Sequence, residues 1–289
     1  MKIGFIGLGI MGSRMAANLQ RRRHALFVHN RSRHKAEPLL AHGAHWCETP
    51  AALAGEVDVV VTMLSKPAVV EAAALGTDGF VPRLRAGALW VDCSTVHPSF
   101  SRRMADAARE HGVRFLDAPV AGSKDAAEKA QLLFLVGGAA EDVAACRLLF
   151  DAMGRAVNHV GGTGMGVGMK LVFNLMLGQA MVAFAEGMAL GESLGIERTA
   201  LLDTLLGSPV AAPFLTAKRP RIETGDMGAD FPLQWMRKDL ELAATTGFEQ
   251  GVALPLTNAA KEIYAMAVQN GLGHLDYAAI YQFLTQPRD

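Results

Sequence analysis

Residues 161–195 constrain the fold more than any other part of the chain. After its opening glycines this stretch runs for about thirty residues without a proline, GGTGMGVGMKLVFNLMLGQAMVAFAEGMALGESLG. As an α-helix it would be about 45 Å long, at about 1.5 Å per residue. A crossover in a small α/β unit does not need a helix of that length. We therefore predict a long helix that joins two domains.

The same stretch is apolar enough to be considered as a membrane span. Lys170, Asn174 and Gln179 lie inside it, and each of these side chains would be costly in lipid. Its ends have glycines, whereas membrane interfaces favour Trp and Tyr. A buried helix at a domain or subunit interface is therefore the better interpretation, and no membrane partner is expected.

Lys170 and Asn174 are four residues apart, so on a helix they lie on the same face. A single lysine in an apolar helix often only extends its aliphatic stem over its neighbours and keeps the ammonium in water. Lys170 differs because it follows glycines by one turn, with an amide beside it and apolar residues around it. Such surroundings disfavour the charged ammonium, which suits a proton donor. Lys170 is therefore the candidate catalytic residue.

Length and composition indicate an ordinary globular protein of about two domains. Basic and acidic side chains number 28 each, so the formal charge is zero, and a nucleic-acid surface is not expected. The cysteines, Cys47, Cys93 and Cys146, are widely spaced and the histidines lack metal-ligand spacing, so neither disulfides nor a metal site are predicted. Because the chain opens with a strand-like run instead of a signal peptide, we expect a cytoplasmic protein.

A glycine-rich loop near the start predicts dinucleotide binding. GLGIMG, at residues 7–12, lies between the strand-like KIGFI and the helix-forming SRMAANLQRRR, and a second strand follows at Ala25–His29. The pattern alone is weak, and the alternative is a turn that binds no ligand, but the βαβ context favours a nucleotide. Gly7 would form the tight turn, Gly9 would let the backbone approach a pyrophosphate, and Gly12 would allow close helix packing.

The residues after the second strand favour NADP over NAD. HNRSR, at residues 29–33, has no acid where an NAD-binding unit usually places Asp or Glu for the ribose hydroxyl. Arg31 and Arg33 are suited to a 2′-phosphate, since guanidinium and phosphate form charge-assisted hydrogen bonds. The alternative is two exposed arginines on a loop.

Strands and helices continue to alternate through the first half. Further strands are predicted at 57–63, 89–93, 114–120, 131–136 and 155–160, with a helix at 141–153. Open α/β sheets bind ligands at the carboxyl ends of their strands. Thr95 follows one such end, where it either contacts the nicotinamide or caps the next helix. Gly122 and Ser123 follow another, where backbone N–H groups and a hydroxyl favour a carboxylate, with a plain turn as the alternative.

After residue 195 helical patterns dominate, at 198–206, 234–246 and 255–270. We predict an α/β fold in which a Rossmann-type doubly wound sheet (residues 1–162) is joined by the long helix to an all-helical substrate and oligomerisation domain (residues 163–289). Phe231 precedes the segment WMRKDLELA, whose Lys238 either reaches a ligand phosphate or carboxylate or forms a solvated pair with Asp239. The apolar length of the long helix predicts a homo-oligomer.

In this order the motifs resemble the β-hydroxyacid dehydrogenase family, which includes 3-hydroxyisobutyrate dehydrogenase, tartronate semialdehyde reductase and the glyoxylate/succinic semialdehyde reductases. The resemblance covers essentially the whole chain and rests on GFIGLGIMGSRMAANL, VDCSTVHP, FLDAPVAGS, GMKLVFN and WMRKDLELA. HNRS and the GS of PVAGS look most like the NADPH-dependent glyoxylate and succinic semialdehyde reductase branch. The chain departs from the family pattern at Ser65, Ala121 and Ala130-Gln131, where proline or alanine, serine, and Gly-Thr are usual.

The resemblance implies an NADPH-dependent oxidoreductase, with NAD as the alternative cofactor, that interconverts a short carboxylate-bearing aldehyde and its hydroxy acid. It implies that Lys170 is the catalytic lysine and that a homodimer or homotetramer forms. The implied substrate-binding residues are Gly122, Ser123, Asn174, Phe231 and Lys238. The implied cofactor-binding residues are Gly7, Leu8, Gly9, Ile10, Met11, Gly12, Asn30, Arg31, Ser32, Met63, Leu64, Thr95 and Lys238.

Three alternatives remain open. An NAD-dependent dehydrogenase of the 3-hydroxyisobutyrate or tartronate semialdehyde type would belong to the same family. An imine reductase-like enzyme has a similar architecture but typically lacks the catalytic lysine, so Lys170 argues against it. A non-catalytic nucleotide-binding protein would keep the fold without turnover.

Overall fold

The structure is a computed structural model that describes residues 1–285. Strands and helices alternate up to residue 161, and the described chain beyond that point is helical. The predicted fold class is therefore confirmed: a Rossmann-type sheet, a helical second half and a long helix between them. The chain divides into two compact units, and the second begins at Leu171.

The strands of the described chain are short and lie in the first unit. They are β1 (Lys2–Ile6), β2 (Ala25–His29), β3 (His45–Trp46), β4 (Val59–Thr62), β5 (Leu89–Asp92), β6 (Arg114–Asp117), β7 (Val120–Ala121), β8 (Leu132–Gly137) and β9 (Gly154–Gly161).

The helices of the first unit flank these strands. They are α1 (Gly12–Arg21), α2 (Glu37–Leu40), α3 (Pro50–Ala54), α4 (Pro67–Leu75), α5 (Pro98–Glu110), α6 (Lys124–Glu128), α7 (Ala140–Ala145) and α8 (Arg147–Met153). The long helix and those after it are α9 (Met165–Ser193), α10 (Arg198–Leu206), α11 (Arg219–Thr224), α12 (Leu233–Glu249), α13 (Pro255–Gln269) and α14 (Ile280–Thr285).

The strands form one sheet in the order β3-β2-β1-β4-β5-β6-β8-β7, and β9 pairs with β8. The part from β3 to β6 is parallel. Along β4, Val59 and Val61 pack into one apolar cluster and Val60 into another, so this strand is buried on both faces, as its apolar run predicts. The strand order reverses between β1 and β4, where doubly wound sheets bind ligands at the carboxyl ends.

Two elements of the first unit differ from their predictions. Residues 114–120 are not one strand, because β6 ends at Asp117 and β7 is separate. Pro119 lies between them and has no N–H to donate to a strand ladder. The predicted helix at 141–153 is two helices, α7 and α8, because the backbone at Cys146 has a ψ of 5°, outside the α-helical range.

The long helix α9 has 29 residues, which confirms its predicted length. By length and composition alone it could cross a membrane, and 39% of its most apolar window is buried. Its polar side chains nevertheless have partners in the helical unit. Asn174 Nδ2 donates to Asp239 Oδ2 at 2.6 Å, and Gln179 Nε2 donates to Thr257 Oγ1 at 2.7 Å. These bonds favour packing within the helical unit over a membrane span.

One face of α9 is exposed in the single chain, although the sequence predicted a mostly buried helix. Val172, Phe173, Met176, Leu190 and the nearby Leu194 are between 46% and 71% exposed. The opposite face, with Met181, Ala185 and Met188, belongs to the core of the helical unit. This unit therefore buries α9 from one side, and coverage of the other side by a second subunit stays a prediction.

Candidate active site

The loop at residues 7–12 has the backbone geometry that the sequence predicted. Gly7 has a φ of +104°, in the left-handed region that favours glycine. A Cβ on Gly12 would lie 1.9 Å from the Gly7 carbonyl oxygen, so α1 packs closely against the turn. A Cβ on Gly9 would meet no atom within 4 Å, so the loop surface is open there. The tight turn and the close packing are confirmed, and phosphate binding by the loop stays a prediction.

Side chains of neighbouring elements hold this loop. Ser13 Oγ donates to the Gly9 carbonyl at 2.8 Å, and Arg14 Nη1 donates to the Ile10 carbonyl at 2.7 Å. The Leu8 N–H donates to Asn30 Oδ1 at 3.0 Å. Asn30 therefore acts on the loop itself, in addition to its predicted place beside the cofactor. With these carbonyls engaged by α1, the site can offer N–H groups and the helix N-terminus to an anion.

A cavity of about 430 Å³ opens beside the glycine loop. Seven of the predicted cofactor residues line it: Gly7, Gly9, Asn30, Arg31, Ser32, Met63 and Leu64. The loop residues Leu8, Ile10, Met11 and Gly12 do not line it, and neither do Thr95 and Lys238. The structure thus brings together the end of β2, the glycine loop and the segment after β4, as a nucleotide-binding crevice requires.

The cations near this cavity differ from those expected. Lys35 lines the cavity with Arg31, although the sequence analysis did not single it out. The available signal was a second cation four residues after Arg31. Arg33 does not line the cavity, because its guanidinium pairs with Glu48 at 3.1 Å and lies 5.5 Å from the centre of the Trp46 ring. None of the described residues that line the cavity has a carboxylate.

The ends of β4 and β5 share a buried polar network. Trp90 Nε1 donates to Thr62 Oγ1 at 2.8 Å, and Thr62 Oγ1 donates to Asp92 Oδ1 at 2.7 Å. The Ser94 N–H donates to the same Asp92 oxygen at 3.0 Å, and Ser94 Oγ accepts from the Leu64 N–H at 2.9 Å. Asp92 thus holds Ser94 in place, and Ser94 in turn holds Leu64, which lines the cavity. Burial raises the pKa of Asp92 to about 6, although hydrogen bonds from Ser94 and Thr62 oppose this shift.

The cap of α5 is not Thr95, which was one of its two predicted roles. His97 is the capping residue, and its Nδ1 accepts from the Phe100 N–H at 3.2 Å. Thr95 is half-buried two residues earlier. Its predicted contact with the nicotinamide stays a prediction.

Gly122 and Ser123 form the turn into α6. Gly122 has a φ of +140°, and a Cβ there would lie 2.9 Å from a Leu132 methyl carbon. Ser123 Oγ accepts from the Ala126 N–H at 3.3 Å and so caps α6. That bond does not use the hydroxyl hydrogen, and both residues are exposed. The turn can therefore still donate to a carboxylate, which is the predicted role.

Asp117, which the sequence analysis did not single out, binds the start of α9. It is fully buried at the end of β6. Its Oδ1 accepts from the Gly164 N–H at 2.7 Å and its Oδ2 from the Val167 N–H at 2.8 Å. Burial raises its pKa to about 6, against the effect of these backbone hydrogen bonds. Lys170, the candidate catalytic residue, follows Val167 by three residues and is half-buried.

Three predicted residues lie in the helical unit, and Asp239 joins two of them. Asn174 Nδ2 donates to Asp239 Oδ2 at 2.6 Å, and Lys238 Nζ lies 2.9 Å from Asp239 Oδ1. The Lys238–Asp239 pair forms, but it is not solvated, because the two side chains are only 17% and 3% exposed. Asn174 Oδ1 is buried and has no hydrogen-bond partner among the described residues.

Phe231, the third predicted residue in the helical unit, is held by Asp276, which the sequence did not indicate. Asp276 Oδ2 accepts from the Phe231 N–H at 3.2 Å, and the Phe231 carbonyl accepts from the Tyr277 N–H at 2.9 Å. Asp276 is fully buried, and its charge is paired with Lys218 at 2.8 Å. A buried carboxylate with a cation and several N–H donors holds its surroundings firmly. The backbone of Phe231 is therefore fixed, and its predicted contact with substrate stays a prediction.

Within residues 1–285 no group of three or more His, Cys, Asp or Glu side chains is placed to hold a metal ion. The three cysteines are free and buried.

Two protein-family models together match nearly all of the described chain. Residues 2–162 match the family model of the NAD-binding domain of 6-phosphogluconate dehydrogenase. Residues 164–284 match the model described as the NAD-binding domain of NADP-dependent 3-hydroxyisobutyrate dehydrogenase.

Individual relatives are similar over most or all of their length. Glyoxylate/succinic semialdehyde reductase 1 of Arabidopsis thaliana is 34% identical over 289 residues, which is 100% of each chain. A probable mitochondrial 3-hydroxyisobutyrate dehydrogenase of Dictyostelium discoideum is 34% identical and covers 98% of this chain and 91% of that protein. Among solved structures, the 3-hydroxyisobutyrate dehydrogenase of Mycobacterium tuberculosis with L-serine is 30% identical, with a TM-score of 0.90 over 99% of each chain.

Proposed function

The chain belongs to the β-hydroxyacid dehydrogenase family of NAD(P)-dependent oxidoreductases, and on that premise we propose that it is an NADPH-dependent reductase of a short carboxylate-bearing aldehyde. The aldehyde would be of the glyoxylate or succinic semialdehyde type, the substrates in the name of a full-length relative. The product would be the corresponding hydroxy acid.

The single observation that supports NADPH most is the composition of the cavity beside the glycine loop. Arg31, Ser32 and Lys35 line it together, and no carboxylate is among its described lining residues. Two cations and a hydroxyl match a 2′-phosphate, whereas NAD is usually held by an acid that binds the ribose hydroxyl. A ribose with a free hydroxyl would therefore leave the positive charge of the cavity unbalanced.

In the proposed reaction Lys170 donates the proton. When bound, the nicotinamide supplies the hydride that the carbonyl carbon accepts. The Lys170 ammonium stabilises the negative charge that develops on the carbonyl oxygen and then protonates that oxygen. Lys170 regains its proton from water before the next turnover. The half-buried position of Lys170, one turn after an anchored helix start, supports this role.

The substrate carboxylate would bind at Gly122 and Ser123. The Ser123 hydroxyl hydrogen is available, and the left-handed backbone of Gly122 suits a turn that presents N–H groups to an anion. In the helical unit, the buried and unpartnered Asn174 Oδ1 supports a ligand there, because buried acceptors are normally satisfied. We also propose a homo-oligomer in the reducing cytoplasm, to which the exposed face of α9 and the three free cysteines are suited.

An aldehyde panel tests the proposal. We would follow cofactor oxidation with glyoxylate, succinic semialdehyde, methylmalonate semialdehyde and tartronate semialdehyde, each with NADPH and with NADH. A matched aldehyde without a carboxylate, such as butanal against succinic semialdehyde, serves as the control. We expect turnover of glyoxylate or succinic semialdehyde, a higher kcat/KM with NADPH, and little turnover of the control.

Other outcomes would select the alternatives. NADPH binding without turnover of any aldehyde would indicate a non-catalytic nucleotide-binding protein. Turnover of cyclic imines in preference to aldehydes would indicate an imine reductase. Preference for NADH with methylmalonate semialdehyde would indicate a dehydrogenase of the 3-hydroxyisobutyrate type.

A further inference from the structure

We propose that Asp117 is the positioning residue for Lys170: its buried carboxylate binds the first turn of α9 and so fixes where the lysine side chain begins. The inference rests on the proposed function, because it takes Lys170 as the proton donor.

The carboxylate of Asp117 uses both oxygens on the start of α9. Oδ1 accepts from the Gly164 N–H at 2.7 Å and Oδ2 from the Val167 N–H at 2.8 Å. The first N–H groups of a helix have no partner within the helix, and an anion there also interacts favourably with the helix dipole. Two charge-assisted bonds of this length hold the turn from two points. Lys170 lies on the next turn, three residues after Val167.

The backbone around this turn leaves no space for it to shift toward the sheet. A Cβ on Gly166 would lie 2.5 Å from the Leu135 carbonyl oxygen and 2.7 Å from the Asp117 carbonyl oxygen. A Cβ on Gly137 would lie 2.7 Å from Asp117 Oδ1 and 2.7 Å from the Gly166 nitrogen. The start of α9 therefore contacts β6 and β8 backbone to backbone. Both the steric contact and the carboxylate fix the same turn.

The Asp117 carboxylate differs from an ordinary helix cap in its position in the sequence. A capping side chain usually comes from the residue next to the helix, whereas Asp117 is 47 residues before Gly164. Asp117 ends β6, and the chain continues from it through β7 to Gly122 and Ser123. The same strand end thus leads into the turn that we propose for the substrate carboxylate. Asp117 therefore connects the turn at Gly122 and Ser123 with the start of the helix that contains Lys170, within the first unit. We infer that it thereby influences the distance between the carboxylate and the carbonyl group of a substrate that fits the site.

A double-mutant cycle with Lys170 tests this inference. We would measure kcat with the best aldehyde and saturating NADPH for wild type, Asp117→Asn, Lys170→Ala and the double variant. Asn keeps the volume of Asp but places an amide group against one of the two donor N–H groups. An isotope effect with deuterated NADPH establishes that the chemical step limits kcat.

We expect Asp117→Asn to lower kcat about 10- to 100-fold, the cost of misplacing a catalytic group by about 1 Å. The NADPH dissociation constant should stay near the wild-type value, because Asp117 does not line the nucleotide cavity. In the Lys170→Ala background the same substitution should have no further effect, since no lysine remains to be positioned.

Asp142→Asn is the matched control. Asp142 is also a buried carboxylate, 7% exposed, but it pairs with Arg114 at the opposite end of β6, at 2.7 Å. Asp142→Asn breaks this ion pair, so it should lower the melting temperature and leave kcat near the wild-type value. Asp117→Glu is the second test variant, because it keeps the charge and both oxygens but displaces them by one methylene. We expect it to lower kcat while NADPH binding persists.

Several outcomes would overturn the inference. Equal loss of kcat from Asp117→Asn in both backgrounds, or an equal loss from Asp142→Asn, would make Asp117 a purely structural residue. Loss of NADPH binding or of folding in both Asp117 variants would do the same. A Lys170→Ala variant with wild-type kcat would instead refute the proposed function, and the single-variant rates distinguish that failure.

Discussion

Asp92 and Asp117 are register partners on the neighbouring strands β5 and β6, and both carboxyl groups are buried. They bind different parts of the candidate site. Asp92 accepts from Ser94, which in turn accepts from Leu64 beside the nucleotide cavity. Asp117 accepts from the start of the helix that contains Lys170. Two adjacent strand ends thus support the cofactor side and the proton-donor side separately.

Asp92→Asn tests how much the burial of the Asp92 carboxyl group costs in the free energy of unfolding. The pKa of Asp92 is raised from 3.8 to about 6 in the folded protein, so between these values the folded state binds a proton that the unfolded chain has lost. The contribution of Asp92 to stability therefore falls as the pH rises through that range. The stability of Asp92→Asn minus that of wild type should therefore rise by about 1 kcal/mol between pH 5 and pH 7, since one pKa unit corresponds to about 1.4 kcal/mol. Thermal unfolding of both proteins across that range checks this, and a difference independent of pH would contradict it.

Arg31→Ala and Lys35→Ala should each weaken NADPH binding about ten- to hundredfold, because a charge-assisted hydrogen bond contributes about 1.5–3 kcal/mol. NADH binding should change little, because NADH lacks the 2′-phosphate. Arg33→Ala is the control, since Arg33 lies against Trp46 and Glu48 and outside the cavity. Titration of each variant with both cofactors is the measurement. Equal losses for NADPH and NADH would show that these cations do not bind the extra phosphate.

Lys170→Ala should lower kcat about 10²- to 10⁴-fold, the range for a positioned acid or base, with NADPH binding nearly unchanged. Lys170→Arg should not restore the rate, because a guanidinium does not release its proton near neutral pH. Lys129→Ala, at an exposed position after α6, is the control. The measurement is kcat and the cofactor dissociation constant for each variant. Lys170 would be a packing residue if either substitution left kcat within about threefold while chemistry is rate-limiting.

Ala130→Gly should stabilise the protein. Ala130 has a φ of +54°, in the left-handed region that favours glycine. Removing this strained conformation should raise the free energy of unfolding by about 1–2 kcal/mol. The greater conformational freedom of glycine in the unfolded chain offsets part of this gain. We expect a melting temperature higher by a few degrees. Ala139→Gly is the control, because Ala139 has an ordinary φ of −69° and should lose stability. A lower melting temperature for Ala130→Gly would contradict the assignment of strain.

Met176→Glu should weaken self-association. Met176 is 64% exposed on the open face of α9, and a charge there would have to be buried in any subunit interface that covers this face. We expect the dissociation constant of the oligomer to rise at least about tenfold. Leu148→Glu, on α8 and 72% exposed, is the control. Light scattering over a range of protein concentrations is the measurement. A monomeric wild type, or an oligomer indifferent to Met176→Glu, would contradict the prediction.

Local patterns were sufficient to predict most elements. β1 and β2 begin and end at the predicted residues, because each is a short apolar run with a clear boundary on both sides. β3 was not predicted, since a strand of two residues, His45–Trp46, is too short to show a period. Residues 114–120 were misjudged because the apolar pattern outweighed Pro119, whose missing N–H separates β6 from β7.

The residues that organise the candidate site were harder to predict because their partners are distant in sequence. Asp117 contacts Gly164 across 47 residues, and Asn174 contacts Asp239 across 65 residues. Periodicity relates residues within one turn or one strand, and it gives no information on such pairs. Lys35 was missed for a different reason: it lies in a short 3₁₀ helix, Arg33–Ala36, and only the fold shows that this helix places Lys35 at the cavity that Arg31 lines.

The two hydrogen bonds of the Asn30 carboxamide limit how this enzyme can be engineered toward a different cofactor. Its Oδ1 accepts from the Leu8 N–H at 3.0 Å, and its Nδ2 donates to the Ser32 carbonyl at 3.0 Å. An aspartate would keep the first bond and would place a negative oxygen against the Ser32 carbonyl in the second. The acid that suits an unphosphorylated ribose would therefore disturb the glycine loop, which we propose binds the pyrophosphate. An acid at position 30 therefore requires compensating changes at Leu8 and Ser32, because the carboxamide of Asn30 binds the backbone of both residues.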